Sequence, residues 1–303
     1  MRYSLQFAIL GVALILPCSV TAQTPGNAVS HYRDGAKKVG KGDLDGAIEE
    51  YSRAINISSR LSSKTDAETS NISVVDPFTA NAYTNRGVVR YRKGDFQGAK
   101  ADYDAALRIR PGLAIAYLNR AAALRELGDW QAALADLNKA LSLQPDLFEA
   151  YNNRGALRHD MGDLQGALED FNHAIKLKPK AFEPYYLRGY LRIALKEFDN
   201  AIADFNTAVK LSPEMALTYQ GRGTAWMSKN EMDKAIEDFT QALNLDPGIV
   251  WAYFNRGLAL VVKGEEARAQ ADFQKVCSMS PELKADLERR IQIARSLQLT
   301  VRD

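Results

Sequence analysis

Seven prolines divide most of this chain into segments of equal length. Each lies 34 residues after the last, at Pro77, Pro111, Pro145, Pro179, Pro213, Pro247 and Pro281. A stack of similar structural units places its turns at a fixed interval, whereas a single globular core has no need to do so. A period of this length is typical of a repeat architecture. Fold and function therefore have to be sought in the repeat unit.

Other residue types recur in phase with the prolines. Each segment opens on a tyrosine, and an arginine follows three residues later, as in Tyr83 and Arg86. Glycine follows the arginine in five of six segments, and the second half contains an Ala-x3-aromatic or Ala-x3-Leu pair, such as Ala99 and Tyr103. Small residues let two helices approach closely, and the aromatic ring fills the space that remains. The pattern therefore predicts two packed helices per segment.

A short break separates the two predicted helices. It contains a glycine at Gly94, Gly128, Gly162 and Gly264, where a left-handed residue would end the first helix. The Asp or Glu that follows is suited to the start of the second helix, either as a cap or through the helix dipole. The closing proline then ends the second helix. Each segment is predicted to be a helix, a tight turn and a second helix.

These residues resemble the tetratricopeptide repeat family, whose pattern combines an aromatic residue and a glycine, an Ala-x3-Phe pair and a proline at this period. The match extends over six consecutive segments, residues 80–283, and an earlier copy has Gly35, Ala47 and Tyr51 at matching positions. The resemblance implies an all-α fold. We expect a right-handed superhelical solenoid of about seven helix-turn-helix repeats with a C-terminal capping helix.

The copies divide the chain into a first repeat at 23–57, an insertion at 58–79, six tandem repeats at 80–283, and a capping helix and tail at 284–303. The insertion is rich in Ser, Thr and Asn. We expect it to be a loop or a frayed helix extension, and a loop that contacts a partner is the alternative. The last part has one apolar face of the kind that covers the end of a stack, formed by Leu287, Ile291 and Ala294.

The arginine column departs from the family pattern, which has leucine there, and the second helices carry an acid at a fixed place. Asp34 occupies the arginine register of the first repeat and Arg290 continues it beyond the last. If each acid pairs with the arginine of the next repeat, no acid or arginine in these two columns remains unpaired. This predicts a ladder of ion pairs between repeats: Glu50–Arg86, Asp102–Arg120, Asp136–Arg154, Asp170–Arg188, Asp204–Arg222, Asp238–Arg256 and Asp272–Arg290. The alternatives are pairs within each repeat, or exposed charges that meet water.

Residues 1–22 have the pattern of a secretory signal peptide. Arg2 gives a positive start, residues 5–16 are apolar, and small residues lead to a cleavage site after Ala22. We expect an exported protein, either periplasmic or secreted. The alternatives are an uncleaved segment that anchors the chain in a membrane, and lipidation at Cys18.

Composition and residue spacing point away from catalysis and from nucleic acid. The net charge is +2 and is spread along the predicted helices, so there is no basic stripe. The histidines His31, His159 and His173 belong to different helices at spacings unsuited to a metal site. Cys277 lies in an apolar column and is expected to be a core residue. We expect no enzymatic activity, no cofactor, no metal and no nucleic-acid partner.

The resemblance implies that the first helices of successive repeats form a concave face that binds a protein or peptide. Columns that vary between repeats on these helices are the candidate contacts, because stacking already explains the columns that recur. The predicted partner-binding residues are Tyr91, Asn119, Arg125, Asn153, His159, Tyr186, Tyr190, Met227 and Phe254. For the apolar members, the alternative is a place in the core.

The sequence therefore predicts a non-enzymatic scaffold of the cell envelope or exterior that holds a protein or peptide. A membrane-anchored accessory subunit of an envelope complex is the alternative. Contact with a membrane is expected only if the signal segment is retained.

Overall fold

The computed structural model describes residues 26–65 and 76–302, and the chain forms two compact units that meet in sequence at Asp163 and Leu164. Within the described residues all regular secondary structure is helical. The predicted signal peptide and the middle of the insertion lie outside these residues. The all-α prediction is confirmed.

Unit 1 contains the helices α1 (Gly26–Gly40), α2 (Leu44–Thr65), α3 (Asp76–Arg92), α4 (Phe96–Ile109), α5 (Ala114–Glu126), α6 (Trp130–Leu143) and α7 (Phe148–Asp160). Each repeat supplies an odd-numbered helix, here called the A helix, and an even-numbered B helix. Each of the pairs α1–α2, α3–α4 and α5–α6 packs together, and each B helix also packs against the next A helix.

Unit 2 contains the helices α8 (Leu164–Leu177), α9 (Glu183–Ala194), α10 (Phe198–Leu211), α11 (Ala216–Ser228), α12 (Met232–Leu245), α13 (Val250–Lys263), α14 (Glu266–Met279) and α15 (Lys284–Arg302), with a 3-10 turn at Pro281–Leu283. The same pairing of A and B helices recurs there. No helix of the described residues is long and apolar enough to cross a membrane.

The aromatic rings of the B helices pack against the glycines of the A helices, as the sequence predicts. A Cβ atom added at Gly87 would lie 2.6 Å from Cε1 of Tyr103, and one at Gly223 would lie 2.8 Å from Cε1 of Phe239. Both aromatic side chains are fully buried. Glycine inside a helix costs about 1 kcal/mol relative to alanine. The close approach of the B-helix ring explains why it recurs.

The turns between A and B helices are left-handed, with φ from +78° to +87° at the glycines that occupy them. Lys196 and Asn230 hold this position in two repeats at φ of 61° and 63°. The predicted side-chain caps form at Asp95 and Asp129, which accept the N–H groups of Gly98 and Ala132. The glutamates at Glu197, Glu231 and Glu265 make no such bond.

Both ends of the predicted insertion are helical. Helix α2 has 22 residues, whereas α4 and the later B helices have 14, and α3 already begins at Asp76. Ser58 and Thr79 are buried, and their hydroxyl groups share a hydrogen bond of 2.6 Å. The described ends of the predicted insertion are therefore helix and not loop.

Helix α15 packs against α13 through Leu287 and Ala294, which are buried. Ile291 is partly buried against the same cluster. Cys277 is only half-buried at the edge of this cluster, so the prediction of a buried core residue is wrong. Ile175 and Val209, which hold the same register in earlier repeats, are half-buried as well.

Candidate functional site

At five of the six arginines of the column the carboxylate partner belongs to the same repeat, so the predicted ladder to the next repeat is wrong. Nε and Nη2 of Arg222 donate to the two carboxylate oxygens of Asp238 at 2.8 and 2.7 Å. The same bidentate geometry occurs at four other repeats, in Arg86–Asp102, Arg120–Asp136, Arg188–Asp204 and Arg256–Asp272. The carboxylates are buried, and a planar guanidinium suits this two-point contact.

The remaining edge of each guanidinium does reach a neighbouring repeat. Nη1 of Arg222 donates to Oδ1 of Asn206 on the preceding B helix at 2.7 Å. Equivalent bonds run from the other arginines of the column to Ser52, Asp104, Asn138, Asn172 and Thr240. The guanidinium also lies 5.5 Å from the centre of the Tyr219 ring. This three-way contact, here called the arginine fork, joins consecutive repeats.

The ends of the chain depart from the fork. Arg290 pairs with Asp286 of its own helix at 2.8 Å instead of with Asp272. In the first repeat, Glu50 accepts a contact of 2.6 Å from Nδ1 of His31, which occupies the tyrosine register. This contact is the main cause that lowers the pKa of Glu50. The prediction of pairs between repeats depended on matching the charges at the two ends of the chain. Because these end residues pair differently, that prediction assigned the arginines to the wrong acids.

Stacking accounts for the residues that recur, so the residues that vary on the A helices remain as the candidate site. The last turn of these helices holds one such column. Here called the last-turn column, it consists of Tyr91, Arg125 and His159 in unit 1, and of Ile193, Met227 and Val261 in unit 2. Only Val261 of this column is fully buried. The column is polar in unit 1 and apolar in unit 2.

In unit 1 two members of the last-turn column, Arg125 and His159, contact the same carboxylate, that of Asp160. Nη2 of Arg125 lies 2.5 Å from Oδ2 of Asp160, and Nδ1 of His159 lies 3.4 Å from the other oxygen. Burial opposes ionisation of Asp160, but the contacts with His159 and Arg125 outweigh it and lower the pKa. Burial raises the pKa of Tyr91 to about 12, and Glu126 adds to this effect. Asp160 lies one residue after the column and varies between repeats like it, although the predicted partner-binding residues include only Arg125 and His159 of these three.

Two predicted contacts of unit 1 lie deeper than expected. Asn119 and Asn153 are 0% and 5% exposed. They stand one turn and a half before the last-turn column, between α3, α5 and α7. Asn119 and Asn153 are therefore buried and do not form part of the open surface.

In unit 2 the predicted aromatic lining is largely packed against its own helices. Phe254 is fully buried in the cluster that α15 covers, and Tyr186 is 9% exposed. Tyr190 is half-buried, lies against Phe205, and donates its hydroxyl hydrogen to Oε1 of Gln220 at 3.0 Å. Met227 is half-buried. Phe254 is therefore a core residue, which is the alternative stated for the apolar members, because its neighbours leave no surface open.

The described residues contain no group of three or more His, Cys, Asp or Glu side chains that could hold a metal ion. The acids of the B helices are engaged by the arginine forks, and His31 is held by Glu50. What the geometry offers is a set of A-helix surfaces that differ from repeat to repeat.

The fold and these surfaces define a class of protein: a stack of helix-turn-helix repeats whose A helices carry the variable side chains. Family models described as "Tetratricopeptide repeat" match residues 80–113, 148–181, 182–215 and 252–283, and one described as "TPR repeat" matches 121–162 and 223–264. The chain belongs to the tetratricopeptide repeat family. A comparison with curated proteins gave no match.

Solved structures with this fold include a tetratricopeptide repeat protein from Parabacteroides merdae, at 24% identity and a TM-score of 0.65, over 88% of this chain and 100% of that chain. PilF of Pseudomonas aeruginosa is similar at 16% identity and a TM-score of 0.62, over 69% and 96%. YrrB, a TPR protein with an unusual peptide-binding site, is similar at 22% identity and a TM-score of 0.50, over 64% and 98%. At these identities the likeness is one of fold.

Proposed function

We propose that this chain is a non-enzymatic scaffold that binds a protein or peptide through the A helices of its units. The observation that carries the proposal is the last-turn column. Its six side chains all differ, and five of them remain partly exposed. The residues that recur between repeats, in contrast, pack between the helices. Variation at partly exposed positions on a fixed frame is how a repeat protein acquires a specific partner.

The fold supports this reading. YrrB has a peptide-binding site on the same architecture. Partly exposed aromatic, arginine and methionine side chains are the residue types that protein interfaces favour, and Tyr91, Arg125 and Met227 supply one of each. The B helices, in contrast, commit their recurring acids to the arginine forks.

Site-specific photocrosslinking tests the proposal. A photoreactive amino acid would replace Tyr91, Arg125, His159 or Met227 in turn, in cells that express the full chain. Matched controls would carry it at Lys139 and Gln241, which are exposed on B helices. We expect one discrete adduct from the A-helix positions and none from the controls. Equal labelling from both sets would remove the A helices as the binding surface.

We also propose that the chain works outside the cytoplasm, because residues 1–22 combine a positive start, an apolar run and a small-residue cleavage site. Fractionation together with N-terminal sequencing tests this. A mature chain that begins at Gln23 in the soluble envelope or secreted fraction supports export. A full-length chain in the membrane fraction favours the second candidate, a membrane-anchored accessory subunit of an envelope complex. A full-length chain in the cytoplasm contradicts both.

A further inference from the structure

Helix α13 differs from the other A helices in how its last turn is covered. Val261, its member of the last-turn column, is fully buried, whereas the other five members remain partly exposed. Val261 shares one apolar cluster with Phe254 of the same helix and with Leu287 and Ala294 of α15. The Cζ atom of Arg290 on α15 lies 5.5 Å from the centre of the Phe254 ring. Helix α15 therefore covers, at the last repeat, the surface that the other repeats leave open.

Helix α15 does not stack as the A helix of a further repeat would. The A helices α11 and α13 pack mainly against the B helix before them, and only slightly against the A helix before them. The order is reversed for α15, which packs mainly against α13 and has little contact with α14. Arg290 has the register of a fork arginine, yet it pairs with Asp286 of its own helix. Helix α15 therefore lies against the A-helix side of the last repeat.

The surface of α14 shows that the stack already ends in polar side chains. Ile202 and Ile236 are buried on the preceding B helices, and Ile236 belongs to the cluster that contains Phe254 of the next A helix. At the same register α14 has Gln270, which is exposed. A polar residue at this place is what the end of a repeat stack requires. Covering the end of the stack does not by itself account for the position of α15 on α13.

Helix α15 has the side-chain pattern of a helix that binds in a groove. Its inward residues Leu287, Ile291 and Ala294 are spaced at i, i+4 and i+7, as on an amphipathic helix that lies on an apolar surface. At the edge, Nε and Nη2 of Arg295 donate to the two carboxylate oxygens of Glu266 at 3.1 Å each. Both of these side chains are half-exposed, and an exposed ion pair adds little to stability. A helix of another protein with the same pattern could supply each of these contacts.

We propose that α15 is an intramolecular ligand of the last-turn column, and that an amphipathic helix of the protein partner replaces it. The partner helix would bring apolar residues at the spacing of Leu287, Ile291 and Ala294 to the surface of α13 around Val261. The connection at Pro281–Leu283 is short, so the tethered α15 competes at a high effective concentration. This inference rests on the proposed function: it assigns a helical form to the partner and a covered site to unit 2.

Binding of α15 from a second molecule tests the proposal. The probe is a fluorescent peptide with the sequence of residues 284–302, and its binding to the full chain is titrated by fluorescence polarisation. Leu287→Asp in the chain places a charge in the apolar cluster and should free the site from the chain's own α15. We expect this variant to bind the peptide about tenfold more tightly than the wild-type chain does, because the binding-competent fraction rises.

Two controls are matched to this variant. Gln292→Asp introduces the same charge at an exposed position of α15, and this chain should bind the peptide as the wild type does. A peptide that itself carries Leu287→Asp should bind neither the wild-type chain nor the variant.

A milder variant acts on the edge of the contact. Arg295→Glu sets two carboxylates against each other at the surface and leaves the apolar cluster intact. It should raise the affinity for the peptide about threefold. Lys284→Glu makes the same change of charge at another exposed position of α15 and is the control. In Leu287→Asp and Arg295→Glu, hydrogen exchange should become faster in α15 and stay unchanged in α12 and α14.

The results separate this inference from the proposed function. Failure of the peptide to bind the Leu287→Asp chain, or equal affinity for that chain and the wild type, overturns the intramolecular ligand. Faster hydrogen exchange that spreads to α12 and α14 would show that α15 is needed for the fold of the last repeats, which overturns it too. In each of these cases discrete crosslinks from the A helices would still uphold the scaffold. Tight binding of the peptide without such crosslinks would uphold the α15 site and contradict the wider binding surface.

Discussion

The two units have the same arrangement of paired helices, but the side chains on the surfaces of their A helices differ. In unit 1, asparagines at Asn85, Asn119 and Asn153 alternate with small residues, and the last-turn column is polar. In unit 2 the same register holds Leu187, Gly221 and Asn255, and the Tyr190 ring packs close to Gly221. The surface of unit 2 at this point is therefore filled by the chain itself. Residues that hold the stack and residues that shape its surface can change independently.

The interiors differ as well. Unit 1 has phenols beside the A-helix glycines of its first two repeats, where unit 2 has phenyl rings. Two arginines hold Asp102 in unit 1, and two hold Asp204 in unit 2. Beside Asp238, Trp226 takes the place of the second arginine. The following substitutions test these differences, from the largest expected effect to the smallest.

Removing the arginine of a fork should lower stability most where no second arginine contacts the same carboxylate. Arg222→Ala leaves Asp238 buried without its counter-ion and should lower the free energy of unfolding by about 3 to 5 kcal/mol. Arg86→Ala should cost about half as much, because Arg90 stays 3.0 Å from Asp102. Urea denaturation and hydrogen exchange in α4 and α12 measure both. Equal losses would show that the second arginine contributes nothing.

The loss in Arg222→Ala should also depend on pH. Burial raises the pKa of Asp238 even with Arg222 present, so its folded-state pKa exceeds the unfolded value. Such a group favours the folded state when protonated, and this contribution disappears as the pH rises through the folded pKa. The difference between variant and wild type should therefore shrink as the pH falls from neutral into the acidic range. Asp238→Asn combined with Arg222→Ala is the control and should abolish this pH dependence.

Giving unit 2 the surface of unit 1 should cost about 1 to 3 kcal/mol. In Gly221→Asn, the new Cβ would lie 2.6 Å from Cε1 of Phe205 and 3.0 Å from Cζ of Tyr190. Adding Tyr190→Ala gives the Phe205 ring room to move and should recover part of the loss. A double-mutant cycle measures this coupling. Additive effects would mean that Tyr190 does not confine the residue at position 221.

Exchanging the hydroxyl groups between the units should have opposite consequences. Phe239→Tyr places a buried hydroxyl group in unit 2 and should lower the free energy of unfolding by about 1 to 2 kcal/mol. Tyr103→Phe should be neutral or slightly stabilising. Denaturant midpoints of both variants are the measurement. A clear loss in Tyr103→Phe would indicate that its hydroxyl group already stabilises the fold.

The smallest difference concerns the caps. Asp129→Ala removes the bond to the N–H group of Ala132 and should cost about 1 kcal/mol. Glu231→Ala at the equivalent turn of unit 2 should change stability by less than about 0.5 kcal/mol, because Glu231 makes no cap. Thermal denaturation of the two variants compares them directly. A similar shift in both would assign the effect to charge near the helix start and not to the hydrogen bond.

Features fixed by local geometry were predictable from the sequence. The proline period, the left-handed glycines at the turns and the glycine that receives an aromatic ring each depend on a few neighbouring residues. The arginine pairing was not predictable in this way, because a guanidinium has two edges. One edge meets the acid of its own repeat, and the other meets a side chain of the preceding B helix that is an acid only at Arg120. The positions of Asp34 and Arg290 favoured pairing each arginine with the acid of the preceding repeat. This choice assigned the wrong acids.

The candidate site was predictable only in part. Variation between repeats identified Tyr91, Arg125 and His159, which are partly exposed. It also selected Phe254, which is buried, because a column can vary when each repeat packs against a different neighbour.

Because of the arginine fork, the repeat unit that contains all of its own ion pairs and hydrogen bonds does not end at the proline turns. A cut at the proline turn leaves Arg222 with Asp238 but separates it from Asn206, which accepts its third bond. The segment that is electrostatically complete therefore begins near the middle of one B helix and ends near the middle of the next. Repeats exchanged or duplicated in that shifted frame would bring a matched acceptor with them, whereas blocks cut at the turns would combine only where the preceding helix happens to provide one.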